Sequence, residues 1–163
     1  MLKVSACTWG TFRPEENKAF EPGTAPREHL EVRSGDLLIT RANTSALVAR
    51  SVVVDSTPPR LMLSDMTLRL TPVPGCNTRY LNLANLAPAA REHYQAEATG
   101  TSDSMKTVSQ RAIRRTPIPL PPAAEQDRIV AIVDRLSEEV DRVAAAVLDK
   151  QQLAARLTEA LGL

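Results

Sequence analysis

Ile118-Pro-Leu-Pro-Pro-Ala-Ala-Glu-Gln-Asp-Arg-Ile-Val130 marks a change from extended chain to helix. Four prolines between positions 117 and 122 exclude a helix before this point and hold the chain extended. The last of them, Pro122, suits the first turn of a helix, where its missing N–H would have no partner. The acidic Glu125 and Asp127 suit the positive end of a helix dipole. We therefore predict a long helix that begins near Ala123.

Apolar residues recur along this helix at alternating spacings of four and three, which indicates about five heptads of a coiled-coil seam. A helix over Ala123–Gly162 is roughly 60 Å long at about 1.5 Å per residue. Such a helix cannot bury a narrow stripe against itself, so we expect a partner helix rather than a helix folded back on its own domain. Lys150 falls inside the stripe, where a polar residue can set the register. The stripe comprises Ile129, Val133, Leu136, Val140, Val143, Val147, Ala154, Leu157 and Leu161.

The length of 163 residues allows one globular domain with an appended helix but not two cores. We predict a domain over residues 1–122 and a spacer or dimerisation helix over 123–163. Residues 1–122 hold 15 Lys/Arg against 11 Asp/Glu, a balance of +4, and residues 123–163 hold 5 against 8, a balance of −3. This distribution fits nucleic-acid contact by the first part and protein contact by the second, although chance imbalance explains it equally well.

Two isolated cysteines, Cys7 and Cys76, are typical of a reduced cytosolic protein rather than a disulfide scaffold. No apolar run approaches the ~20 residues of a membrane span, and the N-terminus carries no signal pattern. We expect a soluble, cytoplasmic protein without membrane contact.

Short apolar runs without intervening helices predict a mainly antiparallel sheet in an α+β domain. Loops are expected over Thr8–Pro26, Arg41–Ser45 and Thr101–Thr107. The expected strands are Leu2–Cys7, Leu37–Thr40, Leu47–Val54 and Leu61–Leu70, with Thr116–Leu120 as a proline-tolerating edge strand.

Helical patterns follow over Thr78–Leu86 and, opened by Pro88, over Ala89–Ala98. Gly100 is expected to terminate the second of these helices. Ser109 is expected to cap a short helix that runs through Ile113, because its hydroxyl can accept from free backbone N–H groups.

The junction phrase resembles the specificity subunits of type I restriction-modification systems, and upstream phrases extend that resemblance over nearly the whole chain. The matching junction residues are Pro117, Ala124, Glu125, Gln126, Arg128, Ile129 and Val130. The matching upstream phrases are Leu2-Lys-Val-Ser-Ala6, Thr8-Trp-Gly10, Gly35-Asp-Leu-Leu-Ile39, Leu63-Ser-Asp-Met-Thr-Leu68 and Gly100-Thr-Ser-Asp-Ser-Met-Lys106.

The resemblance implies a target-recognition domain that reads one half of a bipartite DNA site, followed by one long spacer helix. Full-length members carry two such domains and two helices, and their domains usually have a further segment ahead of the Leu2-Lys-Val-Ser phrase. The chain is therefore expected to be a single, N-terminally shortened half. An alternative is a truncated interaction protein that no longer reads DNA but binds or competes for the modification subunit through its helix.

The partners implied are double-stranded DNA, the modification (methyltransferase) and restriction subunits, and a second copy or another half subunit paired through the helix. Methylation and cleavage belong to those subunits, so the chain is expected not to be an enzyme. It is expected to need no cofactor of its own, because S-adenosylmethionine, ATP and magnesium act through the partners.

Candidate DNA-binding residues fall in four groups. Arg41, Asn43 and Thr44 follow a predicted strand, and arginine and asparagine are base-reading residue types, although Asn43 also suits a turn. Ser102 and Lys106 lie in the polar loop over Thr101–Thr107, which is expected either to run near a DNA backbone or to be a plain surface loop. Arginines at the junction could hold phosphates, or be ordinary surface charge. The remaining candidates are Lys3, Trp9 and Arg13 near the start of the chain, although Trp9 could instead be a core anchor. The junction arginines are Arg111, Arg114 and Arg115.

Catalytic and metal chemistry finds little support. The segment Gly100–Thr107 nearly spells a phosphate-binding loop, but Met105 stands in place of its second glycine. The two histidines, His29 and His93, lie far from either cysteine in sequence, so no zinc site is predicted.

Overall fold

The computed structural model describes residues 1–21, 23, 25–103 and 105–161, with the side chains of the last helix described through Gln152 and at positions 155 and 156. Within these residues the chain forms two three-stranded antiparallel sheets and four α-helices, the last of which has 39 residues. The predicted α+β class and the long C-terminal helix are confirmed. No described helix is long and apolar enough to cross a membrane.

The strands are β1 (Leu37–Thr40), β2 (Ala42–Asn43), β3 (Ser51–Val53), β4 (Thr67–Leu70), β5 (Thr99–Ser102) and β6 (Met105–Thr107). The first sheet has the order β3-β1-β4 and the second the order β2-β6-β5. The helices are α1 (Thr78–Leu86), α2 (Pro88–Glu97), α3 (Gln110–Arg114) and α4 (Ala123–Leu161), and two 3-10 helices span Val4–Cys7 and Glu28–Leu30.

Strand β1 is the centre of the core because both of its faces are covered. Leu38 packs in one apolar cluster with Leu2 and Val52, and Ile39 packs in another with Val48 and Tyr94. All four residues of β1 are buried. A strand buried on both faces is a continuous apolar run in the sequence rather than an alternating one. This strand begins with such a run, and it was predicted as a strand.

The expected strand over Leu2–Cys7 is wrong. Val4–Cys7 is a 3-10 helix, in which the N–H groups of Ala6 and Thr8 donate to carbonyls three residues earlier. Ala6 and Cys7 are both fully buried, whereas consecutive strand residues point to opposite faces.

The other expected strands are shorter than predicted. Of Leu47–Val54 only β3 is strand, because residues 45–49 form a turn in which Ala49 has a positive φ of 58°. Of Leu61–Leu70 only β4 belongs to the sheet. The expected edge strand over Thr116–Leu120 is also wrong, since its prolines cannot donate to a ladder.

The expected loop over Thr101–Thr107 and the terminating role of Gly100 are wrong as well. Strands β5 and β6 form a hairpin there, and Gly100 lies inside β5 with a φ of +138°. A Cβ at this position would lie 2.4 Å from the carbonyl oxygen of Met105. The glycine therefore allows close approach of the two strands rather than ending α2.

The helices agree with their sequence signals. Ser109 caps α3 by accepting from the N–H of Ala112 at 3.0 Å, as predicted. Pro88 is the first residue of α2, as expected. Asn77 caps α1 by accepting from the backbone N–H groups of Arg79 and Tyr80, a role that the sequence analysis did not assign.

The base of α4 is fastened to α1. Gln126 is 2% exposed, and its side chain donates to the carbonyl of Pro121 at 2.8 Å and accepts from the N–H of Asn77 at 2.9 Å. The guanidinium of Arg79 contacts Asp134 at 2.7 Å. Gln126 of the junction phrase therefore connects the extended segment before α4, helix α1 and helix α4 by hydrogen bonds.

Candidate nucleic-acid interface

An apolar groove of about 460 Å³ lies between the first 3-10 helix and the β2-β6 pair. Trp9 and Met105 stand at its walls and are 57% and 69% exposed. Leu47 and Met66 also line it. The alternative that Trp9 is a core anchor is therefore wrong. No sequence signal marked Met105 as a groove residue, because it lies in a stretch that looks like a polar loop until it folds into a hairpin.

Asn43 lies at this groove, but both ends of its amide are engaged within the protein. The amide nitrogen donates to the hydroxyl of Thr8 at 3.2 Å, and the oxygen accepts from the N–H of Thr44 at 2.8 Å. The first bond joins β2 to the segment that carries Trp9. Asn43 belongs to a strand rather than the projecting loop that was expected, and Thr44 begins the turn that follows.

Lys106 pairs with Asn43 across the β2-β6 ladder. Its ammonium group donates to the carbonyl of Gly100 at 2.9 Å and lies 3.5 Å from the carboxylate of Asp103. These contacts hold the hairpin closed and partly neutralise the charge. Ser102, at the end of β5, is exposed on the same hairpin.

Arg41 lies next to β2 but does not line the groove. Its Nε donates to the carbonyl of Val108 at 3.3 Å, and its side chain is partly buried beside a separate cavity of about 730 Å³. A guanidinium so engaged holds the start of β2 against the segment after β6.

The remaining candidate cations are exposed. Lys3 lies 3.9 Å from Glu16, and Arg13 is joined to the Trp9 segment through its backbone N–H, which donates to Ala6 at 3.0 Å. The arginines of the junction, at positions 111, 114 and 115, are exposed on and just after α3 and do not line the groove. The structure therefore brings together the residues at positions 9, 43, 44, 102 and 106 and leaves the α3 arginines apart.

The predicted stripe on α4 divides into two parts. Ile129 and Val133 are partly buried at the base, where Ile129 and Val130 pack against α1. We call the next four stripe positions the outer stripe, and their exposed fractions lie between 49% and 66%. Leu148 and Ile132, which the spacing did not include, are exposed beside them. The outer stripe comprises Leu136, Val140, Val143 and Val147, and the side chains of Ala154, Leu157 and Leu161 lie outside the described part.

Neither cysteine resembles a nucleophile. Burial raises the pKa of the Cys7 thiol to about 12, and it also raises the pKa of Cys76. A thiol with a raised pKa is protonated and unreactive near neutral pH. Among the described residues no group of three or more His, Cys, Asp or Glu side chains could hold a metal ion.

Comparison with known proteins indicates which family the chain resembles. No family model matches the chain. It is 29% identical over 162 residues to the type I restriction enzyme EcoEI specificity subunit of Escherichia coli, a match that covers 99% of the chain. The resemblance predicted from the sequence is confirmed. The chain spans 27% of the length of that specificity subunit.

Proposed function

We propose that the chain is a sequence-specificity module of a type I restriction-modification complex, which reads one half of a bipartite DNA site and binds the modification subunits through α4. The observation that carries this proposal is the similarity along 99% of the chain to a protein named as such a specificity subunit. The chain itself catalyses no reaction in this proposal and holds no cofactor. Methylation and cleavage are reactions of its partners.

The groove beside Trp9 supports a reading surface. Exposed apolar side chains next to amides and hydroxyls suit base edges, since thymine offers a methyl group in the major groove beside polar acceptors. The β5-β6 hairpin projects the exposed Met105 beside Trp9. The exposed cations Lys3 and Arg13 on the Trp9 segment would contact phosphates and orient the domain without carrying sequence information.

The outer stripe supports the second half of the proposal. An exposed row of Leu and Val at alternating spacings of three and four is the pattern of a helix that pairs with another. The base of α4 is held by Gln126 and the Arg79–Asp134 ion pair, so a partner helix would be placed at a set angle to the domain. The partner is a second copy, another half subunit or a helix of the modification subunit.

One observation favours the rival proposal of an interaction protein that does not read DNA. The side chains of Arg41, Asn43 and Lys106 all form hydrogen bonds within the protein. If these bonds persist when DNA is offered, the polar readout is weak while the outer stripe remains available. Such a chain would compete with a full subunit for the modification enzyme.

Co-expression of the chain with the modification subunit, followed by mapping of adenine methylation in the host DNA, separates the two proposals. A new bipartite motif is the expected result, and a palindromic motif would indicate a symmetric pair of chains. The matched control is a Trp9→Ala/Met105→Ala variant, which changes the groove and leaves α4 intact. Co-purification without any new methylation would refute DNA reading and support the interaction protein.

A further inference from the structure

The polar side chains that line the apolar groove already have partners within the protein. The hydroxyl of Ser5 donates to the carboxylate of Glu16 at 2.8 Å, and that of Thr8 donates to the carbonyl four residues earlier at 2.9 Å. Asn43 uses both ends of its amide, and the hydroxyl of Thr107 donates across the β5-β6 hairpin at 3.5 Å. The surface that the groove leaves free for a ligand is therefore chiefly apolar.

An apolar surface can distinguish only part of the chemistry that base edges display. In the major groove guanine, adenine and cytosine present hydrogen-bond donors and acceptors, whereas thymine also presents its C5 methyl group. A polar base edge placed between Trp9 and Met105 would lose its hydrogen bonds to water without gaining others. A methyl group placed there would be buried favourably. Of the four bases, thymine is therefore the one that this groove suits.

The β5-β6 hairpin has the form that could bring the groove to a base edge. Strand β5 is the outer strand of the β2-β6-β5 sheet, and all four of its residues are exposed. The major groove of B-form DNA is about 12 Å wide and admits a two-stranded ribbon of this kind. Met105, at the start of β6, is the exposed apolar residue of that ribbon. A hairpin that enters the major groove would thus carry one wall of the apolar groove with it.

The other wall is held in place before any ligand arrives. Ala6 and Cys7, just ahead of Trp9, are fully buried and anchor the segment in the core. The hydroxyl of Thr8 accepts from the amide of Asn43 at 3.2 Å, which joins the segment to β2. Trp9 is therefore exposed on a fixed backbone rather than on a free loop. Such preorganisation lowers the entropic cost of binding.

The charges on the same segment favour DNA over an apolar protein segment as the occupant. Arg13 is exposed, and its guanidinium has no partner among the described residues. Lys3 is also exposed, with only a long contact of 3.9 Å to Glu16. Free cations beside an apolar surface suit a polyanion that also displays methyl groups, because its phosphates can neutralise them.

We propose that Trp9 and Met105 enclose the C5 methyl group of a thymine, so that the groove selects an A·T pair through apolar contact rather than through hydrogen bonds. This inference rests on the DNA reading proposed above and names the base feature that is read. The hydrogen bonds that engage Asn43 and Lys106 within the protein then keep the groove in shape instead of competing with base readout.

The test begins with selection of binding sites for the full chain from a library of random-sequence duplexes. The recovered half-site should contain an A·T pair at a fixed position. Each thymidine of that half-site is then replaced in turn by deoxyuridine, which removes only the methyl group. Fluorescence anisotropy should show about fourfold weaker binding for one of these replacements, because burial of one such carbon contributes about that factor.

A second substitution at the same pair separates the methyl group from the hydrogen-bonding pattern. A G·C pair placed there changes the donors and acceptors, and 5-methylcytosine then restores a methyl group without changing them further. The duplex with 5-methylcytosine should bind about fourfold more tightly than the duplex with cytosine. Equal binding of these two duplexes would contradict readout by apolar contact.

The protein variants assign the effect to the groove. Trp9→Ala/Met105→Ala should bind the thymidine and deoxyuridine duplexes equally. The matched control, Val73→Ala/Leu120→Ala, removes two apolar side chains that are 65% and 57% exposed and do not line the groove, so it should keep the fourfold ratio. Circular dichroism establishes that each variant is folded. A fourfold ratio in Trp9→Ala/Met105→Ala would overturn the proposal, since another surface would then contact the methyl group.

Failure of this inference and failure of the proposed function give different results. Recovered half-sites without a fixed A·T pair, or equal binding of thymidine and deoxyuridine at every position, would overturn the methyl contact and leave the DNA reading in place. A wild type that binds no duplex at low salt would refute the DNA reading itself, and the methyl contact with it.

Discussion

Replacing Val140 and Val143 with aspartate should abolish assembly through α4 while leaving the rest of the protein folded. The four residues of the outer stripe are 49% to 66% exposed. Complete burial of a Val or Leu side chain contributes about 1.5–3 kcal/mol, so covering the exposed half contributes about 0.8–1.5 kcal/mol for each residue. In a pair of identical helices the double substitution removes four of eight such contributions.

The loss is then about 3–6 kcal/mol, which weakens association about a hundredfold to ten-thousandfold. Four carboxylates in the contact would add a desolvation cost to this figure. Light scattering measures the mass of the isolated chain over a range of concentrations, and co-purification measures binding to the modification subunit. The variant should be monomeric and should fail to co-purify.

The control places the same two charges on the other face of the helix, in Ala145→Asp/Gln152→Asp. Both positions are exposed and lie opposite the stripe. This variant should assemble like the wild type. If the stripe variant keeps the mass and the co-purification of the wild type, the outer stripe is not the contact surface and the seam assignment is wrong.

Three further predictions concern the globular part. Tyr94→Phe leaves the buried side-chain oxygen of Asn85 unpaired, so the free energy of unfolding should fall by about 1–3 kcal/mol, seen as a lower urea midpoint with an unchanged slope. Gly100→Ala should destabilise the hairpin by more than about 1 kcal/mol and speed its amide exchange, because φ there is +138°. Burial raises the pKa of Cys7 from 9.0 to about 12, so only the unfolded state loses this proton between those values. Stability should therefore fall as pH rises from 9 towards 12, and less so in Cys7→Ala; equal alkaline titrations of melting temperature would contradict this.

The helices could be predicted from sequence because their signals are local. A capping serine, an opening proline and a 3.6-residue period all lie within a few positions of the elements they mark, as Ser109 and Pro88 illustrate. Helix α4 begins at Ala123, as predicted, and the carbonyl of Pro122 accepts the first helical bonds from Glu125 and Gln126.

The strands were predicted less well because partners distant in sequence define them. Strand β2 has only two residues, and it exists because β6, more than sixty residues later, pairs with it. Nothing near Asn43 signals that pairing. The hairpin of β5 and β6 likewise looked like a polar loop. Its strand pairing depends on the close approach of the two strands at Gly100, and no residue next to Gly100 in the sequence signals that approach.

The candidate site likewise could be predicted from the sequence only in part. Residue type suggested Trp9, Asn43 and Lys106 as members of separate candidate groups, and the fold brings Trp9 and Asn43 to one groove and pairs Asn43 with Lys106. Residue type could not indicate that the amide of Asn43 and the ammonium of Lys106 are already hydrogen-bonded, because those partners are set by tertiary contacts.

The junction before α4 connects the two parts of the proposed function, the reading surface and the assembly helix. Gln126 joins the segment before α4 to the cap of α1, and Tyr80 donates to the carbonyl of Pro119 at 2.7 Å. Helix α1 in turn holds β3 through Asn82, which accepts from the hydroxyl of Ser51 at 2.8 Å. A continuous chain of hydrogen bonds thus runs from the base of α4 to the central sheet. In the function that we propose, these bonds would let the direction of α4 set where the groove of one domain lies relative to a partner, as measuring the spacing of a bipartite site requires.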